Sequence, residues 1–266
     1  MSTTTTTNPT ATPAGPAPDP APRRATLSRL TAVELRKLTD TRAGYWLLMV
    51  IALAAAAIVT VLLFVMPAGE QTFANFFVPS LIPVGILLPV LGILLVTSEW
   101  SQRTAMTTFA LVPRRSRVLV AKVAAATLAA LASVLASLAV AAIGTALAAA
   151  TGGAGTWSFE AVTIGYAAVF QIINVVMGVA FGMLLLNTPL AIVIYLVLPI
   201  VWSVLGEMIS GLRGPAQWLD LGVTMVALTT TEVTAGQWGR LAASVAVWVV
   251  LPLVAGLVRI TRREVL

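Results

Sequence analysis

VPSLIPVGILLPVLGILLVTSEWSQRTAMTTFALVPRRSRVLVAK, residues 78–122, decides how the chain is read. It opens on an apolar run, 78–97, long enough to cross ~30 Å of hydrocarbon at ~1.5 Å per residue. A polar and basic segment follows, and a second apolar run begins at 118. Working outward from this pair, further runs of spanning length fall at 45–66, 118–150, 161–186, 189–206 and 239–258. Six such runs in 266 residues, of which 59% are hydrophobic, exceed what any soluble core requires. The expected fold is therefore all-α: a polytopic membrane protein with six transmembrane helices.

The basic residues give the expected orientation. With the N-terminus inside, the inner segments collect Arg23, Arg24, Arg29, Arg36, Lys37, Arg42, Arg103, Arg114, Arg115, Arg117, Lys122, Arg259, Arg262 and Arg263, which is fourteen of the sixteen Lys and Arg. Only Arg213 and Arg240 fall outside, alongside Glu70, Glu160, Glu207, Asp220 and Glu232. This is the pattern of the positive-inside rule, and it places both termini in the cytoplasm of a cell-membrane protein. A net charge of +6 would point to nucleic acid in a soluble chain. Here the charges sit in short juxtamembrane segments without interleaved exposed aromatics, so anionic lipid is the expected partner and nucleic acid is not. Trp46, Trp100, Trp157 and Trp238 lie near span ends as interfacial anchors, whereas Trp202 and Trp248 lie within spans as packing residues.

Several chemistries are excluded by composition. There is no Cys and no His. That removes disulfides, thiolate metal sites, cysteine nucleophiles, and the commonest general base and metal ligand. Neither GxxxxGK[ST] nor GxGxxG occurs, so no nucleotide-phosphate loop is evident. The chain reads as a non-enzyme without a cofactor, and its energy source would be a partner or an ion gradient.

Residues 1–25, rich in Thr, Pro and Ala and without the apolar core of a signal peptide, read as a disordered cytoplasmic tail. From Thr26 to Arg42 the pattern turns helical. Leu27, Leu30, Leu35 and Leu38 gather on one side and Arg29, Arg36 and Asp40 lie roughly opposite, with Glu34 interrupting the apolar side. An interfacial helix is one reading of this segment, and a plain extension of the first span is the other. The third run is Ala-rich and longer than the hydrocarbon is thick, so it should tilt or protrude. Gly178 and Gly182 have GxxxG spacing, which serves either packing within the chain or a dimer seam. Pro79, Pro83 and Pro89 with Gly85 and Gly92 should loosen or kink the second run. Thr188 is placed to cap the fifth run, with Pro189 at its first helical position.

Three segments are candidates for function. In the inner loop, Glu99 and Arg103 are spaced i, i+4, Met106 and Phe109 share a face with Ala110, and Pro113 precedes the basic cluster Arg114, Arg115, Arg117 and Lys122. Such a helix is a peg for a cytoplasmic motor subunit, or an interfacial loop whose charges only set orientation. The segment 207–239 contains apolar pieces too short to span, around 219–228, broken by glycines and Pro215. It is either a surface loop or backbone that dips into the membrane. Gln171 and Asn174 lie three apart inside the fourth run, as interhelical hydrogen-bonding glue or as part of a substrate path.

The order Glu99, Arg103-Thr104, Pro113, Arg115, Ala121-Lys122 resembles the pattern of permease subunits of ABC-2 type ATP-binding-cassette exporters, and ELRKL at 34–38 resembles their N-terminal interfacial helix. The resemblance covers residues 26–266. It implies that Glu99, Trp100, Arg103, Met106, Phe109, Arg114, Arg115 and Arg117 dock an ATP-binding subunit. It further implies that Leu27, Leu30, Glu34, Leu35, Arg36, Lys37 and Leu38 form the helix connecting that motor to the first span, and that short re-entrant helices lie between spans five and six. Pairing with a second permease copy or homologue and export are likewise implications of the resemblance. The scarcity of charge within the spans points to a lipophilic or amphiphilic cargo and leaves little for an ion-coupled carrier to work with. The competing reading is a membrane scaffold or sensor that docks cytoplasmic proteins and moves nothing; an ion-coupled secondary transporter ranks behind it.

Overall fold

The computed structural model describes residues 26–102, 115–230 and 232–262. The predicted tail 1–25, and Arg103, Met106, Phe109 and Arg114 of the predicted docking segment, lie outside the described residues. Within them the chain is helical and forms no strand. Helix α1 (Leu27–Asp40) is followed by α2 (Arg42–Val65), α3 (Phe73–Ser101), α4 (Arg115–Ala150), α5 (Ala161–Leu185), α6 (Thr188–Met208) and two short helices, α7 (Arg213–Leu219) and α8 (Leu221–Met225). The last helix, α9 (Ala235–Arg262), winds as a π-helix over Ala246–Val250. Helices α2, α3, α4, α5, α6 and α9 are each long and apolar enough to cross a membrane, which makes this a helical membrane protein.

Polar side chains mark where the helices begin. Thr26, Thr41 and Thr72 accept hydrogen bonds from the third backbone N–H of α1, α2 and α3, and Thr234 with Gln237 forms a reciprocal capping box on α9. The start of α6 differs from expectation by one residue. Asn187 is the cap, accepting from the Leu190 N–H at 3.0 Å, and Thr188 is the first helical residue. The Thr188 hydroxyl is thereby released to bond the Thr97 hydroxyl of α3 at 2.7 Å.

Helix α3 is the hub, packing against α2, α4, α5 and α6. Most of its apolar length is buried inside the chain, whereas α2 and α6 leave most of theirs exposed. Its three prolines do not break it. Pro89 has no N–H to offer the Gly85 carbonyl four residues back, and the Tyr195 hydroxyl of α6 supplies a donor there at 3.4 Å. The crossing of α3 and α5 is close. A Cβ on Gly178 would overlap the Pro89 carbonyl, and one on Gly182 would sit 3.3 Å from Ile93. The GxxxG pair therefore packs within the chain, the first of its two readings.

Two sets of contacts close the ends. At one end the α2–α3 and α4–α5 connections meet: the Phe73 N–H bonds the Thr156 carbonyl at 2.9 Å, and the Phe73 ring lies against Trp157 and Phe159. The other end, called the basic end below, gathers α1, the end of α3, the start of α4 and the end of α9. There α1 packs on α4 and α2, and its turn into α2 requires a glycine, because a Cβ on Gly44 would collide with the Leu38 carbonyl.

Helices α7 and α8 fold back against the bundle. Asp220 caps α8 through the Val223 N–H at 3.1 Å and accepts a bond from the Ser203 hydroxyl of α6. The Trp248 indole in the π-helical turn donates to the Leu219 carbonyl at 2.6 Å, and Thr224 and Ser244 share a hydrogen bond of 2.7 Å. Met225 reaches Asn174, whose amide points to its sulfur at 3.8 Å.

Candidate functional site: a buried four-charge cluster at the basic end

Two carboxylates and two ammonium groups meet where α1 crosses α3 and α4. Lys122 Nζ donates to Glu34 Oε2 at 2.7 Å, to Glu99 Oε1 at 3.0 Å and to the Leu95 carbonyl at 2.8 Å. All three of its N–H groups are used. Lys37 Nζ bridges the same two acids, at 2.7 Å to Glu34 Oε1 and 2.7 Å to Glu99 Oε1. The Lys122 side chain is 2% exposed, Glu34 5% and Glu99 9%, against 35% for Lys37, so Lys37 is the most exposed of the four. It lines a cavity of about 550 Å³ with Thr41, Ser98, Gln102 and Thr188. The cluster is neutral, which is what permits its burial: isolated charges at this depth would cost several kcal/mol apiece.

The sequence positions explain how it assembles. Glu34 and Lys37 are three apart on one face of α1, Glu99 is in the last turn of α3, and Lys122 lies two turns into α4. The buried face of α1 is Thr31, Glu34 and Leu38, while Leu27 is exposed. This corrects the predicted apolar side: Glu34 is its centre and not an interruption. It also corrects the reading of Lys122 as an orientation signal, and the expectation that little charge is buried. The Glu99 carboxylate is turned into this cluster, so what it contributes to the surface is the position of the end of α3. Trp100 is partly buried against the core beneath it. Leu30 and Leu35 are half-buried, and Arg36 is exposed and pairs with Asp40 at 3.2 Å.

Cation-to-carbonyl contacts extend the tie across the basic end. Arg115 donates to the Ile260 carbonyl at 3.1 Å, and Arg259 donates to the Leu184 carbonyl, one of the terminal acceptors α5 cannot satisfy itself. Arg117, in the first turn of α4, is half-buried.

Lys37 lies outside the spanning helices. Burial alone would push its ammonium down, but the bonded Glu34 and Glu99 carboxylates outweigh this and hold it above the ordinary 10.5. A raised folded-state value means the contribution is complete below 10.5 and is lost as pH climbs through the higher value. The unfolding midpoint in detergent should fall at alkaline pH above this point. Lys37→Met should remove part of that dependence, and an unchanged alkaline limb in the variant would contradict the assignment.

The second predicted pair lies deeper. Gln171 is fully buried, and its Nε2 crosses to the Leu81 carbonyl of α3 at 3.2 Å. Asn174 donates to the Phe170 carbonyl of its own helix at 2.9 Å, and its Oδ1 faces the Tyr195 hydroxyl at 3.5 Å. The interhelical part of the glue reading thus holds for Gln171. Tyr195→Phe would leave the Gly85 carbonyl without its donor and should lower stability by about 1 kcal/mol, read by thermal unfolding. No loss would show that α3 relaxes around Pro89 unaided.

Sequence reasoning placed Glu34, Lys37 and Glu99 among the site residues but did not join them to Lys122. The available signal was a lysine inside an apolar run and a glutamate on an apolar helix face, two groups that each need a partner. Compared with models of protein families and with curated proteins, the chain matches none.

Proposed function

We propose that the chain is the permease subunit of an ABC-2 type ATP-binding-cassette exporter, paired with a second copy or homologue and driven by a separate ATP-binding subunit. The observation that carries this reading is the four-charge cluster. It fastens α1 to the end of α3 and the start of α4, the two helices that bracket residues 103–114. A pull on that segment is therefore delivered to three helices together, the mechanical requirement for a motor acting from outside the bilayer. With the basic end in the cytoplasm, α1 lies at the inner surface and both termini are inside.

The return of α7 and α8 supports re-entry from the opposite side. Met225 meets Asn174, thirteen residues into α5, or ~20 Å along the helix at ~1.5 Å per residue. Polar groups of this segment find partners in the bundle: Trp248 donates to the Leu219 backbone carbonyl, and Ser203 and Ser244 bond the side chains of Asp220 and Thr224, as re-entry requires. Two cavities whose walls carry no ionisable side chain apart from the Tyr195 hydroxyl support a lipophilic cargo.

Met106→Arg with Phe109→Arg should abolish co-purification of an ATP-binding subunit while leaving the permease folded. Undiminished binding of that subunit by the double variant would refute the docking assignment, and the absence of any ATPase-bearing partner on the wild-type chain would favour the scaffold.

A further inference from the structure

Among the described residues, Gln171 Oε1 is one of two buried side-chain polar atoms with no hydrogen-bond partner; the other is Trp202 Nε1. The amide orientation of Gln171 is fixed by its other end, because only the NH2 can bond the Leu81 carbonyl. The free oxygen lies behind Gly85, 3.9 Å from where a Cβ on that residue would stand, with the Phe170 ring at 3.1 Å from the same point; Gln171 itself is fully buried and lines neither of the cavities beside it. Gly85 and Phe170 wall a cavity of about 280 Å³ lined otherwise by aliphatic side chains and Thr163 and Thr229. On the far side of Phe170 and Thr229 lies a second cavity of about 330 Å³, bounded by Asn174, Tyr195, Pro199 and Met225. Leaving a buried amide oxygen unpaired costs free energy that a donor arriving with a ligand would recover.

The mouth of the first cavity identifies where a ligand comes from. Val78, Ile82 and Ile86 of α3 line it and are 42%, 56% and 50% exposed, on the outside of a spanning helix. A molecule entering there comes from hydrocarbon. No Asp, Glu, Lys or Arg lines either cavity, so an ionised group would be desolvated without compensation.

We propose that this pair of cavities binds a neutral, membrane-partitioned molecule with an apolar body and one hydrogen-bond donor, an alcohol or a secondary amide, whose donor reaches Gln171 Oε1 when the Phe170 ring turns aside. As a statement about cargo it rests on the permease reading; as a binding site it stands apart from it. Phe170 and Thr229 belong to both cavities, so a rotation of the Phe170 ring would join them for a longer chain.

Photolabelling of the purified full chain in nanodiscs tests this, using a diazirine-bearing octanol beside the matched diazirine alkane without the hydroxyl. The octanol should label peptides containing Gly85, Phe170 or Leu228 more strongly than the alkane. Gln171→Met should reduce octanol labelling there by roughly threefold to tenfold, the contribution of a neutral hydrogen bond, with alkane labelling unchanged. Ile82→Trp, a substitution at an exposed position, should reduce both by blocking the mouth. Equal labelling by the two probes in the wild type, or undiminished octanol labelling in folded Gln171→Met, overturns the site. Labelling needs no motor subunit, so the two readings separate: specific labelling of a chain that gives no ATP-driven transport even when reconstituted with an ATP-binding subunit would leave the site and remove the permease. ATP-driven transport without specific labelling would do the reverse.

Discussion

Lys122→Met is expected to cost the folded protein about 3–5 kcal/mol, the loss typical of removing one partner from a buried ion pair. The lysine holds Glu34 and Glu99 through two ion pairs and the Leu95 carbonyl through a third bond, all in a site of which it exposes 2%. Without it, two carboxylates share the single charge of Lys37 and the cluster carries a net negative charge away from water. The consequence is specific enough to check by restoration. Lys122→Met combined with Glu34→Gln leaves Lys37 facing Glu99, restores neutrality, and should recover a substantial part of the loss. Thermal unfolding in detergent, followed through the seven tryptophans, reads both variants. A single variant as stable as the wild type, or a double variant no better than the single, would show that the cluster does not act as a unit.

Gly178→Val should have the second largest effect, about 3 kcal/mol, at the upper end for overpacking. The new side chain would be driven into the Pro89 carbonyl, which is backbone and cannot rotate aside. Gly92 lies on the facing side of the same crossing, where a Cβ would stand 2.9 Å from the Val175 carbonyl, so α3 and α5 approach at the limit that glycine allows. The two meanings of GxxxG separate here. A seam within the chain predicts a lower unfolding midpoint at unchanged oligomer size. A seam between chains predicts a change of mass in light scattering with the fold intact.

The positions of the spanning helices were legible in the sequence because hydrocarbon thickness imposes a length that local composition reveals. Each of the six expected runs falls within or within one residue of an observed helix, and the observed helices extend beyond most of them at one or both ends, into polar segments where capping and not hydropathy sets the boundary. The start of α6 shows the limit: Asn187 and Thr188 are both competent caps, and the choice between them was made by Thr97, ninety-one positions away. Helix α1 shows it more clearly. Its four leucines suggested an apolar side, but the partner surface on α3 and α4 carries Glu99 and Lys122, so Glu34 turned inward and Leu27 outward. No periodicity within one helix contains that information. The same holds for Gln171, whose depth was readable but whose divided use, one end bonded and the other open, depends on where Leu81 and Gly85 come to rest.

On the proposed reading, the cluster is where the force of a separate ATP-binding subunit would be felt, and the hydrolysis that supplies that force belongs to the subunit. Purified chain reconstituted in proteoliposomes, alone and with the proposed ATP-binding subunit, tests that division of labour most directly. The account predicts no nucleotide hydrolysis and no uphill export by the chain alone, and both together in the complex. Hydrolysis of ATP or uphill transport by the isolated chain would contradict it.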